Sequence, residues 1–271
     1  AISLEQEYNQ LAQEMEGTDG EEEKWNAKTA EQAAVITKIL QANPVLESFG
    51  NAKTSRNDNS SRFGKFVQLL FDFKSCLTGA HTNTYLLEKS RVVWQAEGER
   101  NYHIFHQLAS NQARELAALS LEENKAYRYM AAGGGGASQV KNVIEGVNDQ
   151  EHFKNTKEAL KLLGISTMQQ ASLFCMLAGI LNLGEVKFAA AGGDEERSEV
   201  SSDSQASIDA TAKLLGVKAD ALALTLTSRM LVMRGGASVT RVPLKPDDAV
   251  RGADGTSKNL YVRVFDWLVE S

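Results

Sequence analysis

The sequence predicts a mainly α protein with a small β component, an α+β fold, and three observations carry it. Apolar residues recur at helical spacing in several segments, among them 151–163, 167–183 and 254–269. One run, residues 63–73 (FGKFVQLLFDF), is apolar on both alternating faces, the pattern of a central strand buried on both sides. Two short apolar runs, 230–233 and 239–242, flank Arg234-Gly235-Gly236-Ala237 and read as a β-hairpin.

Residues 1–29 include Glu14-Met15-Glu16-Gly17-Thr18-Asp19-Gly20-Glu21-Glu22-Glu23, too acidic to bury a core, and predict a solvated surface loop. From Thr29, the positions Val35, Ile36, Ile39 and Leu40 predict a helix ended by Asn43-Pro44. After the strand, residues 77–81 predict a turn and 84–93 an extended segment. Residues 99–121 are amphipathic, with Tyr102, Phe105, Leu108 and Ala109 on one face. The four glycines 133–136 have neither Gly-Lys-Ser/Thr nor Gly-x-Gly-x-x-Gly spacing around them, so they read as a flexible surface link. Gly164 separates helices at 151–163 and 167–183, and Ser166 caps the second. The polar stretch 192–206 predicts a loop. Helices follow at 208–215, ended by Gly216, and at 220–226. The chain divides into 1–29, a helix, loop and strand over 30–76, and a mainly helical part over 77–271.

With 271 residues, 42% of them apolar, the chain can build a sizeable core. A net charge of −6 argues against a nucleic-acid partner. No apolar run reaches membrane-spanning length, and no membrane insertion is expected; the longest, 171–183, is a core helix on length. Cys76 and Cys175 sit in apolar surroundings and read as reduced core thiols, which fits the cytosol. His103 and His106 stand three apart on a helical stretch, but no third metal ligand is near in sequence, so packing or surface roles are expected.

The chemistry concentrates in Asn57-Asp58-Asn59-Ser60-Ser61-Arg62-Phe63-Gly64-Lys65-Phe66. Two amides, two hydroxyls, an arginine and a lysine enter the central strand, a set that can offer oxygen to a metal ion and a guanidinium to a phosphate or carboxylate. An Asn/Ser-rich turn capping a strand explains the same residues at this point.

This segment resembles switch I of a myosin motor head. The flanks extend the resemblance: Asn43-Pro44-Val45-Leu46-Glu47-Ser48-Phe49-Gly50-Asn51-Ala52-Lys53-Thr54 upstream, Tyr85-Leu86-Leu87-Glu88-Lys89-Ser90-Arg91-Val92 downstream, then Gly98-Glu99-Arg100-Asn101-Tyr102-His103-Ile104-Phe105-His106 and Leu260-Tyr261-Val262-Arg263-Val264-Phe265-Asp266-Trp267. Kinesins share only Asn-x-x-Ser-Ser-Arg.

The resemblance implies a fragment spanning switch I and the upper actin-binding subdomain of an ATP-driven actin motor in the cytoplasmic actin cytoskeleton. It implies ATP and Mg²⁺ as cofactors, and as partners the actin filament, ATP/ADP, the rest of the motor head, and light chains or calmodulin on a lever arm. By the match, Ser61 ligates Mg²⁺, Ser60 positions the attacking water, Asn57 and Asn59 lie at the phosphates, and Arg62 pairs with a switch II glutamate on closure. Arg234, Ser238 and Arg241 fall on the actin-contacting hairpin, with Ser238, sixteen residues before Asp254, at its regulatory position. No Gly-x-x-x-x-Gly-Lys-Ser/Thr occurs in the chain. That loop is expected before the region where the chain begins, and switch II after its end, so the isolated chain is not expected to hydrolyse ATP. A non-hydrolysing, myosin-like actin-binding or scaffold protein is the alternative.

Overall fold

The computed structural model describes residues 19–131, 143–232 and 239–271. The expected class holds: helices dominate, and each strand among the described residues belongs to a two-stranded antiparallel sheet.

Helix α1 spans Asp19–Gly50. Residues 19–29, expected as loop, are therefore helical, and Pro44, expected to end the helix, lies inside it. A proline removes one N–H and crowds the carbonyl a turn back. Here the turn beyond it is fixed by burial of Val45, Leu46 and Phe49 and by Ser48 Oγ donating to Pro44 O at 2.9 Å. Tertiary packing overrides the breaker.

Strands β1 (Asn51–Ala52) and β2 (Ser60–Ser61) pair, then β3 (Gly64–Phe71) and β4 (Leu77–Tyr85) form a hairpin. The expected strand is present, but its burial is not: every residue of β3 is exposed. Among the described residues β4 is its one sheet neighbour, so nothing covers the apolar faces that Phe66, Leu69, Leu70 and Phe71 present. The turn falls at residues 72–76 rather than 77–81. Asp72 Oδ1 accepts the Lys74 and Cys76 N–H groups at 2.8 Å each, and Ser75 takes φ 58°, the side-chain turn chemistry that Asp and Ser favour.

A 3₁₀ turn (Lys89–Val92) leads to α2 (His103–Ala109) and α3 (Ala113–Ala118), two short helices where one long amphipathic segment was expected. The predicted face is right: Tyr102, Phe105 and Leu108 are fully buried. Helices α4 (Asp149–Leu162) and α5 (Thr167–Gly184) follow expectation, and Ser166 and Gln169 form a capping box at the start of α5. The expected loop at 192–206 is instead largely a hairpin, β5 (Phe188–Ala191) with β6 (Asp194–Val200), turning on Gly192 and Gly193 at positive φ. Helices α6 (Gln205–Leu215), stopped by left-handed Gly216, and α7 (Ala219–Thr227) come next. The expected hairpin is present as β7 (Ser228–Val232) and β8 (Val239–Pro243), and α8 (Pro246–Glu270) begins before the expected 254, with Pro246 in its first turn.

Tyr261 of α8 centres the main core. Its ring stacks on Tyr102 at 4.9 Å and Phe105 at 5.2 Å, and its hydroxyl donates to Phe49 O at 2.7 Å. A smaller cluster joins Leu183, Val186, Ile208, Leu226 and Ala253. Cys76 and Cys175 are free thiols but half-buried rather than core. No helix among the described residues is long and apolar enough to cross a membrane. The four glycines 133–136, Arg234 and Ser238 lie outside the described residues.

Candidate functional site

The end of α1 sets the position of the polar loop. Gly50 O accepts the Arg62 N–H at 2.8 Å, and the β1–β2 pairing closes the stretch between residues 52 and 60. Inside it, Thr54 N donates to Asn57 O at 2.8 Å, and Lys53 Nζ meets Asp58 at 3.0 Å. Asn57, Ser60, Ser61 and Arg62 are thereby gathered on one short loop.

Their side chains are committed differently. Asn57 Oδ1 accepts the Asn59 N–H at 2.8 Å, which leaves the Asn57 amide nitrogen as an available donor. Asn59 turns to the body of the fold: Oδ1 accepts from Asn51 Nδ2 at 2.9 Å and lies 3.1 Å from His103 Nε2, while Nδ2 donates to Glu47 at 3.2 Å. With Oδ1 an acceptor, His103 must donate from Nε2. Burial, with the charges of Arg100 and His152, pushes the His103 pKa down to about 4, and Asp58 offsets little of it. Ser61 Oγ donates to Phe63 O at 3.0 Å. Its proton is used there, and its lone pairs remain for a cation.

Arg62 holds the strongest contact of the loop. Its Nε donates to Glu88 Oε2 at 2.6 Å and one terminal nitrogen to Ser60 Oγ at 3.2 Å. The resemblance implies a switch II glutamate as the arginine's partner on closure; among the described residues the partner is Glu88. Glu88 also takes Arg91 Nε at 2.7 Å. Burial raises the Glu88 pKa, but the hydrogen bonds and charges of Arg62 and Arg91 outweigh it and hold the carboxyl below its ordinary value. Glu88 and Asn51 were missed as site residues, although Glu88 and Arg91 stand three apart inside a quoted motif.

Beside the loop lies a cavity of about 360 Å³, lined among others by Pro44, Asn59, His103, Asp149 and His152. No group of three metal-ligating side chains occurs among the described residues. Arg241 sits on β8, donating to Ser228 Oγ at 3.2 Å, while Met230 and Leu231 of β7 are exposed.

The chain belongs to the myosin head (motor domain) family, whose pattern matches residues 13–271. Unconventional myosin-Vc of Homo sapiens is 42% identical over 90% of this chain and 13% of its own length. Myosin-6 of Arabidopsis thaliana is 40% identical over 89% and 16%, and Myosin-52 of Schizosaccharomyces pombe 42% over 87% and 15%. The chain therefore spans a small part of the curated relatives it matches.

Proposed function

We propose that residues 57–62 are the nucleotide-sensing loop of an ATP-driven, actin-based motor, and that residues 77–271 form most of its upper actin-binding subdomain. One observation carries the reading: the loop keeps the Asn57 amide donor and the Ser61 lone pairs uncommitted while fixing the Arg62 guanidinium beside Ser60. Ser61 fits a Mg²⁺ ligand, a hard oxygen whose proton is already placed on Phe63 O. Mg²⁺, when bound, neutralises charge on the nucleotide's phosphate oxygens. Asn57 donates to those phosphates, Ser60 orients the attacking water, and Arg62 pairs across the closing site with a carboxylate from elsewhere in the motor. Such closure excludes water and completes the charge constellation.

The isolated chain lacks the Gly-Lys-Ser/Thr loop that cradles phosphates and does not hydrolyse ATP alone. The β7–β8 hairpin, with Arg241 and the exposed Met230, meets the actin filament, and the motor works in the cytoplasmic actin cytoskeleton. The test is steady-state ATPase of the full-length motor. Arg62→Ala is expected to abolish actin-activated turnover, and Ser61→Ala to weaken Mg²⁺ dependence. Wild-type rates in both overturn the reading.

A further inference from the structure

We propose that Glu88 is a positioning residue for this loop, fixing the Ser60 hydroxyl through Arg62; this rests on the reading of residues 57–62 as the nucleotide-sensing loop. Glu88 stands on an immobile base. Its N–H donates to Arg62 O at 2.9 Å, and its carbonyl accepts from the buried Tyr102 hydroxyl at 2.9 Å. Its carboxylate is braced by Arg91, which is 5% exposed, pairs also with Glu99 at 3.0 Å and donates to Arg100 O at 3.1 Å.

From that base Glu88 takes the Nε edge of Arg62. Among the described residues, the one terminal nitrogen bonds Ser60 Oγ and the other has no hydrogen-bond partner, so the end of the guanidinium stays open to a carboxylate from another segment. Glu88 therefore aims Arg62 without competing for it. By accepting from Arg62, Ser60 Oγ keeps its own proton to donate. A charged acceptor is essential to the device, because Arg62 and Arg91 converge on the same oxygen. A glutamine there leaves Arg62 without its carboxylate beside the Arg91 guanidinium, whose charge Glu99 still meets, and Arg62 swings away.

The test is a double-mutant cycle in the full-length motor, reading Mg-ATPase kcat and the KM for ATP in Glu88→Gln, Arg62→Lys and both. Glu88→Gln is expected to lower kcat about tenfold or more, with KM within about threefold, since what is lost is transition-state geometry rather than binding. In the Arg62→Lys background, which keeps the charge but not the fork, the same change is expected to cost less than about twofold. Equal effects in both backgrounds overturn the proposal and make Glu88 a scaffold for Arg91. A wild-type rate in Arg62→Lys overturns the loop reading itself, and the proposal with it. If Glu88→Gln does not fold, Glu88→Asp enters the cycle: a drop in kcat present with Arg62 and absent with Lys at 62 supports the proposal, and an equal drop in both overturns it.

Discussion

The ring of Phe63 lies directly on the backbone of Gly50. A Cβ at residue 50 would stand 2.2 Å from Phe63 Cε1 and 2.4 Å from Cδ1, closer than atoms approach. The ring is also held by Phe265, which it meets edge-on with centroids 5.1 Å apart. The end of α1, the exit of the polar loop and the last helix are thus locked at one point.

Gly50→Ala should therefore disturb the loop as well as the core. Overpacking of this kind costs about 1–3 kcal/mol, to be read as a lower urea midpoint with an unchanged slope. Phe63→Leu added to Gly50→Ala should recover part of the loss. Wild-type stability in Gly50→Ala would show that the contact yields easily.

Arg100 is 1% exposed, and its Nε and one terminal nitrogen have no hydrogen-bond partner among the described residues. Its remaining nitrogen meets Asp149 at 2.5 Å, at the first turn of α4. Removing the carboxylate leaves a buried charge without its partner, which costs about 3–5 kcal/mol, whereas removing the charge itself is cheaper. Asp149→Ala should thus be clearly less stable than Arg100→Met in chemical denaturation. The reverse order would place Arg100's compensation elsewhere.

Sequence reading succeeded where local chemistry decides. Ser166 with Gln169 wrote its own capping box, and Gly216 its own helix stop at φ 68°. Sequence reading showed the polar composition of the loop at 57–62, and the roles of its residues remain proposals. It failed where distant residues decide. Pro44 stays helical because Phe49 and its neighbours are buried in one core with residues of α2, α4 and α8, which no local pattern reveals. The apolar faces of β3 promised burial on both sides, and the pattern records a demand for cover that the described residues do not meet. Glu88 was invisible as a site residue because its meaning lies in a partner 26 positions away.

Ser238 lies outside the described residues, and its role is a proposal from the resemblance alone. Phosphorylation there would add a charge of about −1.5 to −2 at neutral pH. If the segment meets the filament as proposed and negative charge is what it needs there, Ser238→Glu should raise actin-activated ATPase above Ser238→Ala in the full-length motor. Superimposable curves of rate against actin concentration would make Ser238 a plain turn residue.

The strongest pH dependence should come from α2. Burial, then the charges of Arg100 and His152, lowers the His103 pKa from 6.5 to about 4, and burial with Arg100 and His103 drives His106 well below its ordinary value. Both are neutral in the folded protein, while the unfolded chain binds protons near the ordinary histidine value. The stability their neutral forms contribute is therefore complete above about pH 6.5 and is lost as pH falls toward 4. The slope approaches about 1.4 kcal/mol per pH unit for each histidine. Glu88 does not offset this loss, its carboxyl being held below the usual value by Arg62 and Arg91 against the opposing effect of burial. His103→Gln keeps a donor for Asn59 Oδ1, and His106→Leu removes a ring nitrogen that has no partner among the described residues. Urea midpoints measured across the window should fall steeply in the wild type and much less in the double variant. An unchanged slope in the double variant would assign the acid sensitivity to other groups.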